Sequence, residues 1–211
     1  MLTAQITDLF LLRHGVDSTA SYRRHRLEAE LSSHGRYQAY HQARKLNDLG
    51  VNVLLSSPLA RAENTAKVIS KDIKLPFIVV NDLREIDLPE DVYGAKRNGP
   101  ENLRYKKAWI DALSAHDGSW KLDDQGESTV ELLVREDKVI QMILERYRGK
   151  KVAIVSHGVF LAFFMSRLFL GKQASISAVF DLARSHYLRH GGIAHIRGHE
   201  GAWQLIHFDR S

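Results

Sequence analysis

The feature that most constrains this chain is a repeated alternation. Short apolar runs of strand length are separated by longer stretches with helical spacing, and each apolar run ends on polar or charged residues. Residues 9–12 lead into Arg13-His14-Gly15, residues 51–55 into Ser56-Ser57-Pro58, residues 77–80 into Leu83-Arg84-Glu85, and residues 151–155 into Ser156-His157-Gly158. Unbroken apolar runs of this length suit strands buried on both faces. Strands that alternate with helical segments imply crossover connections and a mostly parallel sheet. The expected fold class is therefore α/β.

Capping signals refine the pattern. Ser33 reads as the N-cap of a helix running to about Leu49 and closed by Gly50. Pro58 reads as the opening of a helix to about Lys71, since proline is tolerated in a first turn. Further helices are expected near 101–114, 128–147 and 159–170. Residues 193–197 and 203–208 read as an antiparallel pair around a glycine-containing turn. The length of 211 residues suits a single domain over 1–211, with a small cover segment at about 86–125. The irregular stretches, 16–30 and 86–125, are where substrate specificity is expected to reside.

Composition excludes several classes. At 44% apolar and 26% charged the chain has an ordinary folded composition. No apolar run is long enough for a membrane span, and the first residues lack the basic start and small-residue cleavage site of a secretory leader. There is no cysteine, so disulfides, thiolate metal sites and cysteine nucleophiles are out. These features lead to the expectation of a cytoplasmic protein. The formal charge of +5 comes from basic residues interleaved with acidic ones. The denser spots are Arg23, Arg24 and Arg26, and the stretch from Lys96 to Lys107. Neither is a run of basic residues repeatedly interleaved with aromatics, as a single-strand nucleic-acid site requires, so no nucleic-acid partner is expected. A mild positive balance instead favours a small anionic substrate. The oligomeric state stays open, a homodimer included.

In open α/β sheets ligands bind beyond the carboxyl ends of the strands. There, two histidines (His14, His157), two arginines (Arg13, Arg61) and a carboxylate (Glu85) are expected to converge. Arginine forks match phosphate oxygens and stay charged. A neutral imidazole is a competent nucleophile near pH 7. A second histidine can donate to an oxygen as charge builds in the transition state. A carboxylic acid can protonate a leaving alkoxide. The helix after Gly158 is expected to aim free N–H groups at an anion, and Gly15 and Gly158 to permit close backbone approach or unusual dihedrals. Taken singly, each residue has an ordinary structural reading; the argument rests on their convergence. Two arginines beside the histidines would repel a cation, and no H-E-x-x-H helix is present, so no metal is expected. No G-x-S-x-G elbow and no G-x-x-x-x-G-K-[ST] loop occurs.

The ordered motifs resemble those of the histidine phosphatase superfamily, which includes cofactor-dependent phosphoglycerate mutases and related phosphatases. LFLLRHG resembles its nucleophile motif, LSSHGRYQA (31–39) its following helix start, and SSPLARAENTA (56–66) its S-S-P-x-x-R-A motif. LREID (83–87) resembles the segment with the catalytic acid, QGES (125–128) the G-E-S helix start, and VSHGVFLAFF (155–164) the second histidine motif. The resemblance spans about residues 7 to 170. It implies a three-layer αβα sandwich with a mostly parallel sheet and an antiparallel edge. It also implies a phosphohistidine intermediate on His14. Arg13, Arg61 and His157 would clamp the phosphoryl group, with Gly15 and Gly158 beside it, and Glu85 would act as acid and then base. No metal or other cofactor is implied.

The resemblance departs just after the nucleophile motif. Many members carry Glu, then Thr or Ser, with Asn further on; here Val16, Asp17 and Ala20 stand. Asp17 opposes a phosphate dianion unless it points away or pairs with Arg23 or Arg24. Ser18 or Thr19 are candidates for the missing hydroxyl. Mutases typically carry a longer basic segment between the acid and G-E-S, holding a bisphosphate. The basic residues here do not form that pattern, and a shorter cover favours water as acceptor. The preferred reading is a phosphomonoesterase acting on a small phosphorylated substrate. A cofactor-dependent phosphoglycerate mutase and a non-catalytic phosphate-binding module are the alternatives.

Overall fold

The computed structural model describes residues 5–19, 29–96, 98–199 and 201–209. Ala20, Arg23, Arg24 and Arg26, and Arg97 of the second basic spot, lie outside the described residues.

Among the described residues six strands form one sheet. They are β1 (Thr7–Arg13), β2 (Val53–Ser56), β3 (Phe77–Val79), β4 (Lys151–Ser156), β5 (Ile193–His199) and β6 (Ala202–Asp209), in the order β3-β2-β4-β1-β5-β6. The first four are parallel, whereas β5 and β6 form the antiparallel edge. The helices are α1 (Ser33–Asn47), α2 (Ala60–Ile73), α3 (Pro100–Ser114), α4 (Thr129–Arg146), α5 (Gly158–Leu170) and α6 (Ile176–Ser185).

The three layers reflect the two-residue period of a strand. On β1, Leu9 and Leu11 point to one face and pack with Leu132 of α4, Phe160 and Phe164 of α5 and Val179 of α6. Phe10 and Leu12 point to the other and pack with Ala43 and Leu46 of α1 and Ala62 and Ile69 of α2. Both sets are essentially inaccessible to water, as the unbroken apolar run requires. A third, small cluster of Val92, Tyr105 and Leu122 lies within 86–125, beside α3.

Three local expectations are corrected. Ser32, not Ser33, caps α1: its Oγ accepts from the Gly35 amide at 3.0 Å and donates to the Val16 carbonyl at 2.9 Å. Both serines fit a capping position, and the one that also reaches the loop after β1 takes it. Helix α2 begins at Ala60 rather than Pro58, because the Ser57 hydroxyl is held against His157 at 2.7 Å and the chain turns only after it. Helix α6 is an addition to the expected elements; Ser175 caps it by accepting from the Ala178 amide.

Candidate active site

Strand register builds the site. Leu12 pairs with Val155 and Arg13 with Ser156, while Ser56 pairs with both Val155 and Val79. The parallel strands therefore finish level. The ladder runs one step further, with the His14 amide donating to Ser156 and the Ser57 amide to Val155. His14, His157 and Ser57 thus emerge side by side. A 3-10 turn after β3 (Asn81–Leu83) carries Glu85 to the same edge, and the Ser156 hydroxyl fixes that turn by donating to the Leu83 carbonyl at 2.7 Å.

His14 is buried, and its Nδ1 lies 2.7 Å from the Gly15 carbonyl oxygen. That oxygen can only accept, so Nδ1 carries the proton and Nε2 the lone pair. Arg61, in the first turn of α2, donates its Nε–H to that Nε2 at 3.2 Å. Burial holds His14 well below the ordinary imidazole range, and the charges of His157, Arg61, His190 and Arg13 add to it. His157 lies fully buried beside it, with ring centres 5.0 Å apart. Its Nε2 faces the Ser57 hydroxyl at 2.7 Å, and its Nδ1 has no hydrogen-bond partner among the described residues. Burial and then Arg61 and Arg13 push its pKa down as well.

Arg13 is locked from several sides. It donates to the Leu188 carbonyl at 2.8 Å and to His190 Nε2 at 3.1 Å, and its guanidinium lies 4.9 Å over the Tyr187 ring. Its buried Nε has no partner. Glu85 takes a role that the sequence motifs assign elsewhere. Its carboxylate accepts from the Val159 and Phe160 amides at 3.2 and 2.9 Å, and from Ile86 at 3.1 Å. Two of the N–H groups at the start of α5, those of Val159 and Phe160, are thus engaged by Glu85 itself.

Both glycines stand where a side chain would collide with a neighbour. The Gly15 amide donates to Thr65 Oγ1 at 3.2 Å, and a Cβ there would stand 2.3 Å from the Gly35 carbonyl oxygen. A Cβ on Gly158 would stand 2.3 Å from the Tyr187 hydroxyl and 3.0 Å from Arg13 Cζ. Neither has a positive φ, so close approach and not unusual dihedrals explains both. Asp17 lines the cavity, but its Oδ1 accepts from both the amide and the hydroxyl of Thr19.

Several contributors lie outside the expected set. His190 sits 4.9 Å from His14, ring centre to ring centre, and links Arg13 to the His14 carbonyl. Its signal is present in the sequence, because Arg189-His190-Gly191 repeats the triplet at 13–15. Gln38 joins the same loops, accepting from the Val16 amide and donating to the His190 carbonyl. The glutamate of the QGES motif, Glu127, forms a buried two-point ion pair with Arg135 at 2.6 and 2.8 Å. Arg135 in turn donates to the carbonyls of Asp82 and Arg84, which fixes the turn that carries Glu85.

A cavity of about 270 Å³ opens over this centre, lined by Arg13, His14, Arg61 and Glu85 below and by residues of 86–125 above. Among the described residues no three His, Asp or Glu side chains are grouped to hold a metal ion, and no helix is long and apolar enough to cross a membrane.

Known proteins share the fold and much of the sequence pattern. A probable phosphoglycerate mutase GpmB of Klebsiella pneumoniae subsp. pneumoniae is 27% identical over 213 residues, covering 90% of this chain and 92% of the relative. The structure of mycobacterial glucosyl-3-phosphoglycerate phosphatase superposes with a TM-score of 0.77 at 24% identity, covering 98% of this chain and 100% of that one. A putative alpha-ribazole-5'-P phosphatase from Escherichia coli K-12 gives 0.78 at 20% identity, covering 97% of both chains. The sequence profile of the histidine phosphatase superfamily, branch 1, matches residues 9–209. With that match running through all four parallel strands and both histidine motifs, the chain belongs to the histidine phosphatase superfamily.

Proposed function

We propose that this protein is a phosphomonoesterase that hydrolyses a small phosphorylated substrate through a phosphohistidine on His14. The observation that carries the reading is the state of His14: Nδ1–H is tied to Gly15, Nε2 keeps its lone pair, and burial keeps the ring neutral. A neutral nitrogen beside two arginines is poised to attack an electron-poor phosphorus. Two buried nitrogens lack partners among the described residues, the Arg13 Nε donor and His157 Nδ1. Buried polar atoms of this kind call for a hydrogen-bonding guest, and phosphoryl oxygens supply acceptors.

In the first step Nε2 attacks phosphorus, the P–O ester bond breaks, and the leaving alkoxide takes a proton from Glu85. Arg61 shifts from Nε2 to a phosphoryl oxygen as the N–P bond forms. In the second step Glu85 draws a proton from water as its oxygen attacks phosphorus. The P–N bond breaks, inorganic phosphate leaves, and His14 regains its lone pair.

The name of the curated relative favours a second reading, in which a second hydroxyl and not water receives the phosphoryl group. A mutase must hold a bisphosphate, which calls for cations on both sides of the cavity. The upper wall is mostly aromatic and aliphatic, with Tyr93, Tyr105, Trp109, Ile86 and Leu88; its cations are Lys106 and Arg84, and Arg84 faces Glu127 and Asp82, an arrangement that favours hydrolysis over a second phosphate. The test is to incubate the protein with an aryl phosphate in the presence of EDTA and to compare His14→Ala. Hydrolysis by the wild type alone is expected. No hydrolysis from acid to neutral pH would sink the reading, and isomerisation of 3-phosphoglycerate dependent on 2,3-bisphosphoglycerate would establish the mutase.

A further inference from the structure

The cavity is roofed by one face of α3. Asn102, Tyr105, Lys106 and Trp109 follow each other at helical spacing and all line it, whereas Leu103 and Ile110 point to solvent. Two of the four are aromatic and held rigidly. Trp109 donates its indole N–H to Thr129 Oγ1 at 3.1 Å and lies against Phe163 and Phe180, with ring centres 5.9 and 6.2 Å away. Its polar atom is engaged behind it, so ring surface is what it offers the cavity. Tyr105 lies nearly parallel to it, at 11° and 6.3 Å. Among the described residues the Tyr105 hydroxyl has no hydrogen-bond partner, yet it is not sealed from solvent. Val159 and Leu59 add aliphatic surface near the catalytic centre. Lys106 lines this end beside the two rings, whereas Arg84 and Asp87 are turned to other duties. Arg84 faces Glu127 and Asp82 at 3.7 and 4.0 Å, and Asp87 accepts from the Tyr93 hydroxyl at 2.6 Å.

Rigid planar walls select ligands that bring a flat or apolar surface, because a small hydroxylated group leaves them in contact with water. We infer that the alcohol half of the substrate is a ring-bearing, mainly apolar group laid against Trp109 and Tyr105, with one polar atom within reach of the Tyr105 hydroxyl. This rests on the phosphomonoesterase reading and deepens it by naming the class of leaving group.

The experiment compares two esters whose alcohols are alike in acidity, 2-phenylethyl phosphate and ethyl phosphate, so that leaving-group chemistry cancels. Wild-type kcat/KM is expected to favour the first by about 100-fold, as burying a phenyl group implies. Trp109→Ala should cut that preference by about tenfold. Trp109→Leu serves as a second variant should the alanine protein fail to fold. Calorimetric binding of 2-phenylethylphosphonate and ethylphosphonate, which are not hydrolysed, reads the same preference without turnover. Equal kcat/KM and equal binding would overturn the inference while leaving the phosphatase intact, as would a preference for 3-phosphoglycerate over the phenylethyl ester. Discrimination between the phosphonates with no ester hydrolysed would support the pocket and overturn the enzymatic reading.

Discussion

Arg61 Nε lies 3.2 Å from His14 Nε2, so the guanidinium donates to the lone pair that the proposed mechanism turns on phosphorus. A guanidinium does not give up its proton, so the contact orients the imidazole and keeps it neutral. The same group must then move onto the phosphoryl oxygens. Arg61→Ala should lower kcat by about 10²–10³-fold, and Arg61→Lys should recover little, because a point charge lacks the fork. Steady-state kinetics on an aryl phosphate reads this out. Activity within about threefold of wild type would contradict the role.

Stability should fall in acid because of the two histidines. Both are held well below the ordinary value of 6.5, so the unfolded chain binds their protons more readily than the folded one. Their contribution is full above that value and is lost as pH falls toward the depressed folded values, at up to about 1.4 kcal/mol per pH unit for each group. Urea midpoints for the wild type and His157→Gln, measured at several pH values below neutrality, should show a shallower slope in the variant.

Glu136 titrates in the opposite sense. It is fully buried on α4, neither carboxyl oxygen has a hydrogen-bond partner, and burial raises its pKa well above 4.5. Its contribution is full below the ordinary carboxyl value and is lost as pH rises through the raised folded value. Glu136→Gln should flatten the pH dependence of stability on that side. An unchanged profile would show that the carboxyl is ionised in the fold.

The pair Glu127–Arg135 separates stability from chemistry. Glu127→Gln leaves a buried guanidinium without its counter-charge and should cost about 3–5 kcal/mol. The double variant Glu127→Leu with Arg135→Met should regain much of that stability, since an apolar pair removes the uncompensated charge. It should not regain kcat, because the Asp82 and Arg84 carbonyls lose the donor that fixes the Glu85 turn. Full activity in the double variant would remove Arg135 from any positioning role.

The two glycines should respond differently to a methyl group. Gly15→Ala drives Cβ into the Gly35 backbone and should cost about 1–3 kcal/mol or more. Gly158→Ala meets the end of the Tyr187 side chain, which is about half exposed and can swing outward, so stability changes little. It also presses on Arg13, so KM for the phosphate ester should rise. Thermal melts and Michaelis–Menten curves on the two variants distinguish these outcomes.

Much of the fold is legible in the sequence because the central strands β1 and β4, buried on both faces, leave apolar runs, and the polar residues that end each run mark the sheet edge; the equally apolar run at 77–80 is the exposed edge strand β3, which its composition does not reveal. Those run ends alone bring Arg13, His14, Arg61, Glu85 and His157 together. The rest depends on long-range contacts that leave no local periodicity. His190 comes from a loop before β5 and reaches the site only because β5 lies next to β1. The α3 stripe is visible as a helix, but nothing in its spacing says which face covers the cavity. Helix α6 is short and needs tertiary contact with α5 to hold it. The engagement of the Val159 and Phe160 amides by Glu85 is not legible either, because it joins the start of α5 to a carboxylate distant in sequence.

That carboxylate ties the reaction cycle to a mechanical element. The Val159 and Phe160 amides hold Glu85 while it is an acceptor. Once it carries the proton for the leaving group, its hold on them weakens. On the proposed mechanism each turnover therefore loosens and retightens the first turn of α5, whose N-cap is His157 itself. The two amides become a clock for the enzyme: their hydrogen exchange should quicken during turnover and slow when the phosphohistidine is trapped with Glu85 ionised.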